Sequence, residues 1–219
     1  FKNDFAAKQQ YQVADRAVQK NGIAAASENY AAKKNLNRVF SVEVKTGKVS
    51  DQKRSGRCWL FSTLNTLRHQ FAKKYQAKDF ELSQNYNSFY DRLEKANKFY
   101  ESVIQTAALP LDDRVVSVLF DDPDDDGGQW ANAAALIAKY GVVPKSVMPE
   151  TYNSEQTAEI DDVLNLKLRK DGLQLRKVVT AGISAANLQR QKLDLLAEIY
   201  RMLVFAFGEP PVEFDLEYQ

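Results

Sequence analysis

The length, composition and charge of the chain set the first limits: 219 residues, 44% apolar and 27% charged, are enough for one large soluble domain, or for a domain with an appendage. The net charge of +1 gives no global field that would attract nucleic acid or an anionic membrane. The single cysteine excludes an intrachain disulfide and predicts a cytoplasmic location, and the absence of long apolar runs predicts neither a membrane span nor export.

The first fifty residues predict a helical segment followed by a short strand. Residues 4–32 are rich in Ala, Gln and Lys, and Asn21 and Gly22 predict a break in the helix. Residues 39–44 alternate apolar and polar side chains, which is typical of a strand. We therefore expect residues 1–50 to form N-terminal wrapping helices and one strand, without a role in chemistry.

The only cysteine, Cys58, stands where a polar loop changes to a helical apolar pattern. A thiol at the N-terminus of a helix lies among unpaired backbone N–H groups and at the positive end of the helix dipole, which favours the nucleophilic thiolate. Positive charge is added by Lys53, Arg54 and Arg57. The side-chain amide of Gln52 is a candidate donor to the oxyanion of a substrate attacked by Cys58.

Two other interpretations apply to this helix. A free cysteine is often a small buried hydrophobic residue. The only histidine, His69, lies on the same predicted helix, about 16 Å from Cys58 at 1.5 Å per residue. Hydrogen-bond reach is about 3 Å, so His69 is predicted to be a polar helix position and not the base for Cys58.

An acidic run at residues 121–126 follows a long aromatic-rich helix that Ser83 is predicted to cap. Its aspartates fit the first positions of a calcium loop, but Ala133 stands where that loop needs a bidentate Glu, so no metal site is predicted. A solvated loop that caps the next helix is the expected structure. Gly127 and Gly128 leave their backbone bare, so an extended peptide can pair with them as an added strand; a plain turn is the alternative.

The last part of the chain predicts two amphipathic helices and then a strand. The first helix is expected to end at Asp171 and Gly172, and Gly208, which two prolines follow closely, is expected to end the second. Basic residues here predict a solvated face, with nucleic-acid contact as the less favoured interpretation: Lys167, Arg169, Lys170, Arg176, Lys177 and Arg190. Residues 212–218 alternate as a strand, for which the candidate partners are residues 39–44, 115–119 and 173–179. With so few partners, we expect the natural chain to continue or another chain to complete the sheet.

Two segments carry a resemblance to a known family. Residues 52–59, Gln-Lys-Arg-Ser-Gly-Arg-Cys-Trp, resemble the nucleophile segment of papain-like cysteine peptidases, most closely the bleomycin hydrolase and aminopeptidase C branch. Secreted papain relatives carry a disulfide cysteine where this chain has Ser55. Residues 127–130, Gly-Gly-Gln-Trp, and the segment that follows to Tyr152 resemble the family's substrate-backbone region.

The resemblance implies an α+β, papain-like fold, mainly its helical subdomain. The implied domains are the N-terminal region at 1–50, the nucleophile-helix subdomain at 51–153, a helical insertion at 154–207 and the start of a truncated β subdomain at 208–219.

The implied activity is that of a thiol protease of the aminopeptidase type, a hydrolase acting through a thioester on Cys58. Cys58 and Gln52 would be catalytic, Gly127, Gly128 and Trp59 would bind the peptide substrate, and neither a cofactor nor a metal is implied. The family's catalytic His and Asn follow the nucleophile, but no histidine follows His69, so this chain alone is expected to be inactive. A homo-oligomer, hexameric in the family, is implied, and a non-catalytic module that binds a peptide or partner is the alternative.

Overall fold

The computed structural model describes residues 1–36, 39–43, 47–77 and 79–217, and it divides into two units, Phe1–Lys45 and Thr46–Gln219. The described residues of the first unit form three helices without buried residues, and Gly22 interrupts the second with φ of 79°, at the predicted break. They are α1 (Lys2–Ala7), α2 (Gln9–Ala26) and α3 (Tyr30–Asn35).

The prediction of a strand at residues 39–44 is wrong for residues 39–43, the part of this range that the structure describes. Residues 39–43 form no strand, and Val44 lies outside the described residues. Alternation alone does not make a strand, because the backbone groups need a neighbouring strand, and the described residues of the first unit contain none.

The second unit is built from seven further helices in the described residues. They are α4 (Cys58–Tyr75), α5 (Gln84–Gln105), α6 (Arg114–Asp121), α7 (Trp130–Tyr140), α8 (Tyr152–Glu155), α9 (Ala158–Thr180) and α10 (Ala185–Phe207). The architecture is the predominantly helical part of the predicted fold. None of the helices in the described ranges is both long and apolar enough to cross a membrane.

The main core lies where α5, α9 and α10 pack against one another. Each helix has apolar side chains at three- and four-residue spacing, so one face of each is removed from water. The most buried members include Phe89, Leu164, Leu168, Leu175, Ile199 and Leu203. A smaller cluster joins the first turn of α4 to α7, through Trp59, Leu60, Ala133 and Leu136.

The helix boundaries confirm some predictions and correct one. Ser83 caps α5 by accepting a hydrogen bond from the Tyr86 N–H at 3.0 Å, and Gly208 ends α10 with φ of 87°. Helix α9, however, runs through Asp171 and Gly172, where we expected it to end. The glycine serves packing instead, because a Cβ there would lie 2.9 Å from the Phe120 ring.

The predicted strand at residues 212–218 is also absent over 212–217, and Tyr218 lies outside the described residues. Two of its three candidate partners are helical, since residues 115–119 lie in α6 and residues 173–179 in α9. Pairing in the described residues is limited to two isolated bridges, Arg54 with Gln156 and Leu82 with Pro144.

Half of the basic residues considered for nucleic-acid contact serve the fold instead. Lys167 pairs with Asp171 at 2.5 Å and with Glu198 at 2.9 Å. Arg169 donates to the last carbonyls of α6, and buried Arg176 donates to the Thr106 carbonyl at 2.8 Å. These contacts hold α9 against its neighbours and reduce the charge available to a polyanion.

Candidate active site

Cys58 is the first residue of α4, and its side chain is exposed. The structure therefore contradicts the alternative of a buried structural cysteine. Trp59 and Leu60 next to it are 7% and 0% exposed, so the first turn of the helix is anchored in the smaller core while the sulfur faces outward. This placement leaves the thiol accessible on a rigid element, as a nucleophile requires.

The nucleophile loop, residues 51–57, is held in shape by its own side chains. The Ser55 hydroxyl donates to the Gln52 carbonyl at 2.7 Å, and the Gln52 amide donates to the Ser55 carbonyl at 2.8 Å. The Arg57 Nε donates to the Ser55 hydroxyl at 2.9 Å. Ser55 thus links both ends of the loop. The amide nitrogen of Gln52 carries two hydrogens, and the bond to Ser55 uses one of them.

The cations expected around Cys58 are partly neutralised. Lys53 pairs with Asp51 at 3.0 Å, which raises the pKa of the lysine. Arg57 is 1% exposed and pairs with Glu150 at 2.9 Å, and burial lowers the pKa of its guanidinium although Glu150 opposes this effect. The guanidinium also lies 5.2 Å from the centre of the Phe61 ring. Arg57 therefore anchors the loop from inside the protein.

The glycine loop, residues 122–129, differs from the solvated acidic loop that we predicted. Asp124 is 2% exposed and pairs with the buried guanidinium of Arg92, which also pairs with Asp161 at 2.5 Å. Burial raises the pKa of the Asp124 carboxyl to about 7, against the opposing charge of Arg92. The prediction was wrong for Asp124 because a buried arginine on α5, far away in sequence, turns this carboxylate inward, whereas Asp122 and Asp125 are exposed as expected.

The other acidic side chains of this loop also have separate protein partners. Asp122 accepts a hydrogen bond from the Asn165 amide at 2.8 Å, and Asp126 accepts one from the Gly56 N–H at 2.6 Å. Over the described residues, no group of three or more His, Cys, Asp or Glu side chains is arranged to hold a metal ion. Helix α7 begins without these carboxylates, because the Asn132 side chain accepts from the Gln129 N–H at 3.1 Å.

The two glycines of this loop have different surroundings. Gly127 is engaged on both sides, since its N–H donates to Asp125 at 2.9 Å and its carbonyl accepts from the Lys95 ammonium at 2.7 Å. Gly128 is exposed, and a Cβ there would lie 2.5 Å from the Trp59 ring. Only glycine fits this contact.

Trp59 connects the glycine loop to Cys58, its neighbour in sequence. Its indole N–H donates to the Asp126 carbonyl at 3.1 Å, its ring lies beneath Gly128, and the Lys95 ammonium is 5.8 Å from the ring centre. Because its side chain is only 7% exposed, Trp59 supports Gly128 from beneath and presents little surface to a bound peptide. The structure therefore brings Cys58, Trp59 and the two glycines together.

Three residues had no site role in the sequence interpretation but hold these loops in place. Asp126 bonds the glycine loop to Gly56 of the nucleophile loop, Lys95 binds the Gly127 carbonyl within the glycine loop, and Arg92 lies 4.0 Å from the Asp126 carboxylate. As part of the acidic run, Asp126 was considered only as a metal ligand or as a carboxylate that caps the next helix. His69 lies on α4, eleven positions after Cys58, as predicted.

Comparisons with known proteins agree with the motifs. The sequence matches the Peptidase C1-like family over residues 1–219. It is 49% identical to the aminopeptidase C of Lactobacillus helveticus, over all of this chain and 49% of that protein. It is 52% identical over 203 residues to the aminopeptidase C of Listeria monocytogenes, covering 93% of this chain and 45% of that protein. The chain thus spans about half the length of the curated relatives it matches.

The fold comparison gives the same result. The crystal structure of PepW from Lactobacillus rhamnosis HN001 superposes with a TM-score of 0.96 at 51% identity, over all of this chain and 49% of that one. The resemblance to papain-like peptidases of the aminopeptidase C type is confirmed by these matches. This chain belongs to the Peptidase C1-like family.

Proposed function

We propose that this chain supplies the nucleophile half of a cysteine aminopeptidase. The observation that carries the proposal is an exposed Cys58 at the start of α4, directly after a loop whose Gly56 N–H is hydrogen-bonded to Asp126, the residue before a glycine pair of which Gly128 is exposed. In this proposal the thiolate of Cys58 attacks the carbonyl carbon of a peptide. The amine leaves with a proton, and water hydrolyses the resulting thioester.

The surrounding residues have separate roles in this reaction. The second hydrogen of the Gln52 amide and the backbone N–H of Cys58 stabilise the oxyanion. Gly128 pairs with the substrate backbone as an added strand, and Gly127 is fixed behind it by Lys95 and Asp125. The base and its orienting residue come from outside residues 1–219, because the only histidine is on α4, beyond hydrogen-bond reach of Cys58.

The test joins this chain to the C-terminal half of the Lactobacillus helveticus aminopeptidase C, and measures release of a fluorescent amine from aminoacyl amides. We expect activity in the fusion, none in the 219-residue chain alone, and none in the fusion carrying Cys58→Ser. A substrate with a blocked amino group distinguishes an aminopeptidase from an endopeptidase.

The non-catalytic alternative makes a different prediction for the same fusion. A module that only binds would retain peptide affinity after Cys58→Ser and would release no amine before or after it. A folded fusion with no turnover and an undiminished peptide affinity would therefore reject the peptidase. Homo-oligomer formation is part of the proposal, and light scattering of the fusion measures it.

A further inference from the structure

Asp126 lies between the nucleophile loop and the glycine pair, and it binds on both sides of Cys58. Its carboxylate Oδ2 accepts hydrogen bonds from the Gly56 N–H at 2.6 Å and from the Thr157 hydroxyl at 2.7 Å. Its backbone carbonyl accepts from the Trp59 indole at 3.1 Å. One residue therefore contacts the chain two positions before the sulfur and one position after it, and directly precedes Gly127.

The fit at this junction leaves no space for adjustment. A Cβ at Gly56 would lie 1.9 Å from the Asp126 Oδ1, and a Cβ at Gly128 would lie 2.5 Å from the Trp59 ring. The glycine loop thus meets the nucleophile loop at Gly56 and meets α4 at Trp59, with a glycine at each contact. A shift of Asp126 would move the nucleophile loop and the backbone of Gly128 relative to each other, because no side chain lies between them that could absorb the shift.

We propose that Asp126 is a positioning residue that sets the distance between the Cys58 sulfur and the backbone of Gly128. This inference rests on the proposed peptidase function, in which one substrate residue pairs with Gly128 while the carbonyl next to it meets the sulfur. A hydrogen bond accepted by a carboxylate is strong and directional, so it can fix this register without a covalent link. A misplacement of about 1 Å lowers reaction rates by roughly a hundredfold.

The test compares two alkylating probes on the 219-residue chain. Iodoacetamide reports only the accessibility and reactivity of the thiol. Glycyl-phenylalanyl chloromethyl ketone needs its backbone beside Gly128 while the thiolate displaces chloride. The probe ratio is the rate constant for the chloromethyl ketone divided by that for iodoacetamide, and it measures how well a peptide beside Gly128 is aligned with the Cys58 sulfur. It is compared with the same ratio for N-acetylcysteine, a thiol without a binding site.

Three variants test whether the probe ratio depends on the Asp126 side chain. We expect Asp126→Ala to lower the ratio roughly tenfold or more. Asp126→Asn keeps an oxygen that accepts both hydrogen bonds, so it should retain the ratio within about twofold. Asp121→Ala removes an exposed carboxylate from the same acidic run and should change nothing. Circular dichroism of each variant verifies the fold.

Hydrogen exchange gives an independent measurement. Asp126→Ala should speed the exchange of the Gly56 amide, whose acceptor it removes, while leaving α10 unchanged. Unchanged exchange at Gly56 would refute the contact, and faster exchange with an unchanged probe ratio would refute the positioning role. A wild-type ratio equal to that of N-acetylcysteine would count against the peptidase proposal itself, and the exchange rates would still decide whether Asp126 joins the loops.

Discussion

The bundle of α5, α9 and α10 and the region around Cys58 are stabilised in different ways. The interior of the bundle consists mainly of aliphatic and aromatic side chains, with Leu175 and Leu203 fully buried, and it contains a buried carboxylate, Asp171, which accepts from the Tyr100 hydroxyl at 2.6 Å. Around Cys58 the most buried large side chains include two arginines, Arg57 and Arg92, each 1% exposed and each paired with carboxylates. One region is held by removal of apolar surface from water and the other by directional polar contacts.

This difference matches what each region requires, which is stability in the bundle and fixed geometry around Cys58. Apolar packing stabilises a structure without fixing the direction of any group, and volume-conserving changes in it are tolerated. Hydrogen bonds and ion pairs fix angles and distances, which a site needs, but a buried charge without its partner is strongly destabilising. The bundle should therefore tolerate substitution better, in proportion to the volume changed, than the region around Cys58.

The largest effect is expected from removing the charge at the centre of the polar region. Arg92→Ala leaves Asp124 and Asp161 without their guanidinium, so the free energy of unfolding should fall by about 3–5 kcal/mol. Urea unfolding at pH 8 measures it. Arg190→Ala, an exposed arginine on α10, is the control and should change stability by less than about 0.5 kcal/mol. A loss below 1 kcal/mol in Arg92→Ala would remove the distinction between the regions.

The corresponding change in the bundle is Leu164→Ala on α9. Leu164 is 1% exposed, so the substitution leaves a cavity and should cost about 3 kcal/mol in urea unfolding. Leu166→Ala on the same helix removes a side chain that is 70% exposed and should stay within about 0.5 kcal/mol. The rate of Cys58 alkylation by iodoacetamide should be the same in both. A slower or faster rate in Leu164→Ala would mean that the two regions are coupled.

The sequence was sufficient to predict what depends on local periodicity and on motifs. Apolar spacing located α4, with Cys58 at its first position, and Ser83 and Gly208 marked helix ends because capping is a local interaction. Such features depend on residues within about one helical turn.

What the sequence did not show depends on contacts between distant residues. The carboxylate of Asp124 is buried because Arg92, on another helix, meets it there, and α9 continues past Gly172 because Phe120 packs against that glycine. The two strand predictions failed because alternation reports burial on one side but supplies no neighbouring strand. In each case the local pattern was correctly observed, and a contact from elsewhere in the chain determined the outcome.

The pH dependence of unfolding should also differ between the polar region around Cys58 and the apolar bundle. Burial raises the pKa of Asp124 to about 7, so between pH 5 and 7 the folded state holds a proton that the unfolded state, with a pKa of about 3.9, has lost. Stability from this group is therefore present at low pH and lost as pH rises, by an amount on the order of 3 kcal/mol between pH 5 and pH 8. Urea unfolding across this range measures it.

Asp124→Asn is the matched variant for this effect. The amide does not titrate, so the fall in stability between pH 5 and 8 should become smaller by the contribution of Asp124, whatever constant offset the lost Arg92 charge pair adds. Leu164→Ala should retain the wild-type slope, because the bundle side chain that it removes carries no proton. An unchanged slope in Asp124→Asn would show that other groups control the pH response.

The smallest effect tests the junction of the two kinds of packing at Trp59. Trp59→Phe keeps a ring beneath Gly128 but removes the indole N–H that donates to the Asp126 carbonyl, so unfolding should become easier by about 1 kcal/mol. Circular dichroism in urea measures it, since fluorescence changes with the residue. Trp130→Phe changes a tryptophan that is 65% exposed and should cost less than about 0.5 kcal/mol. Equal losses in both would mean that area, and not the hydrogen bond, sets the contribution of Trp59.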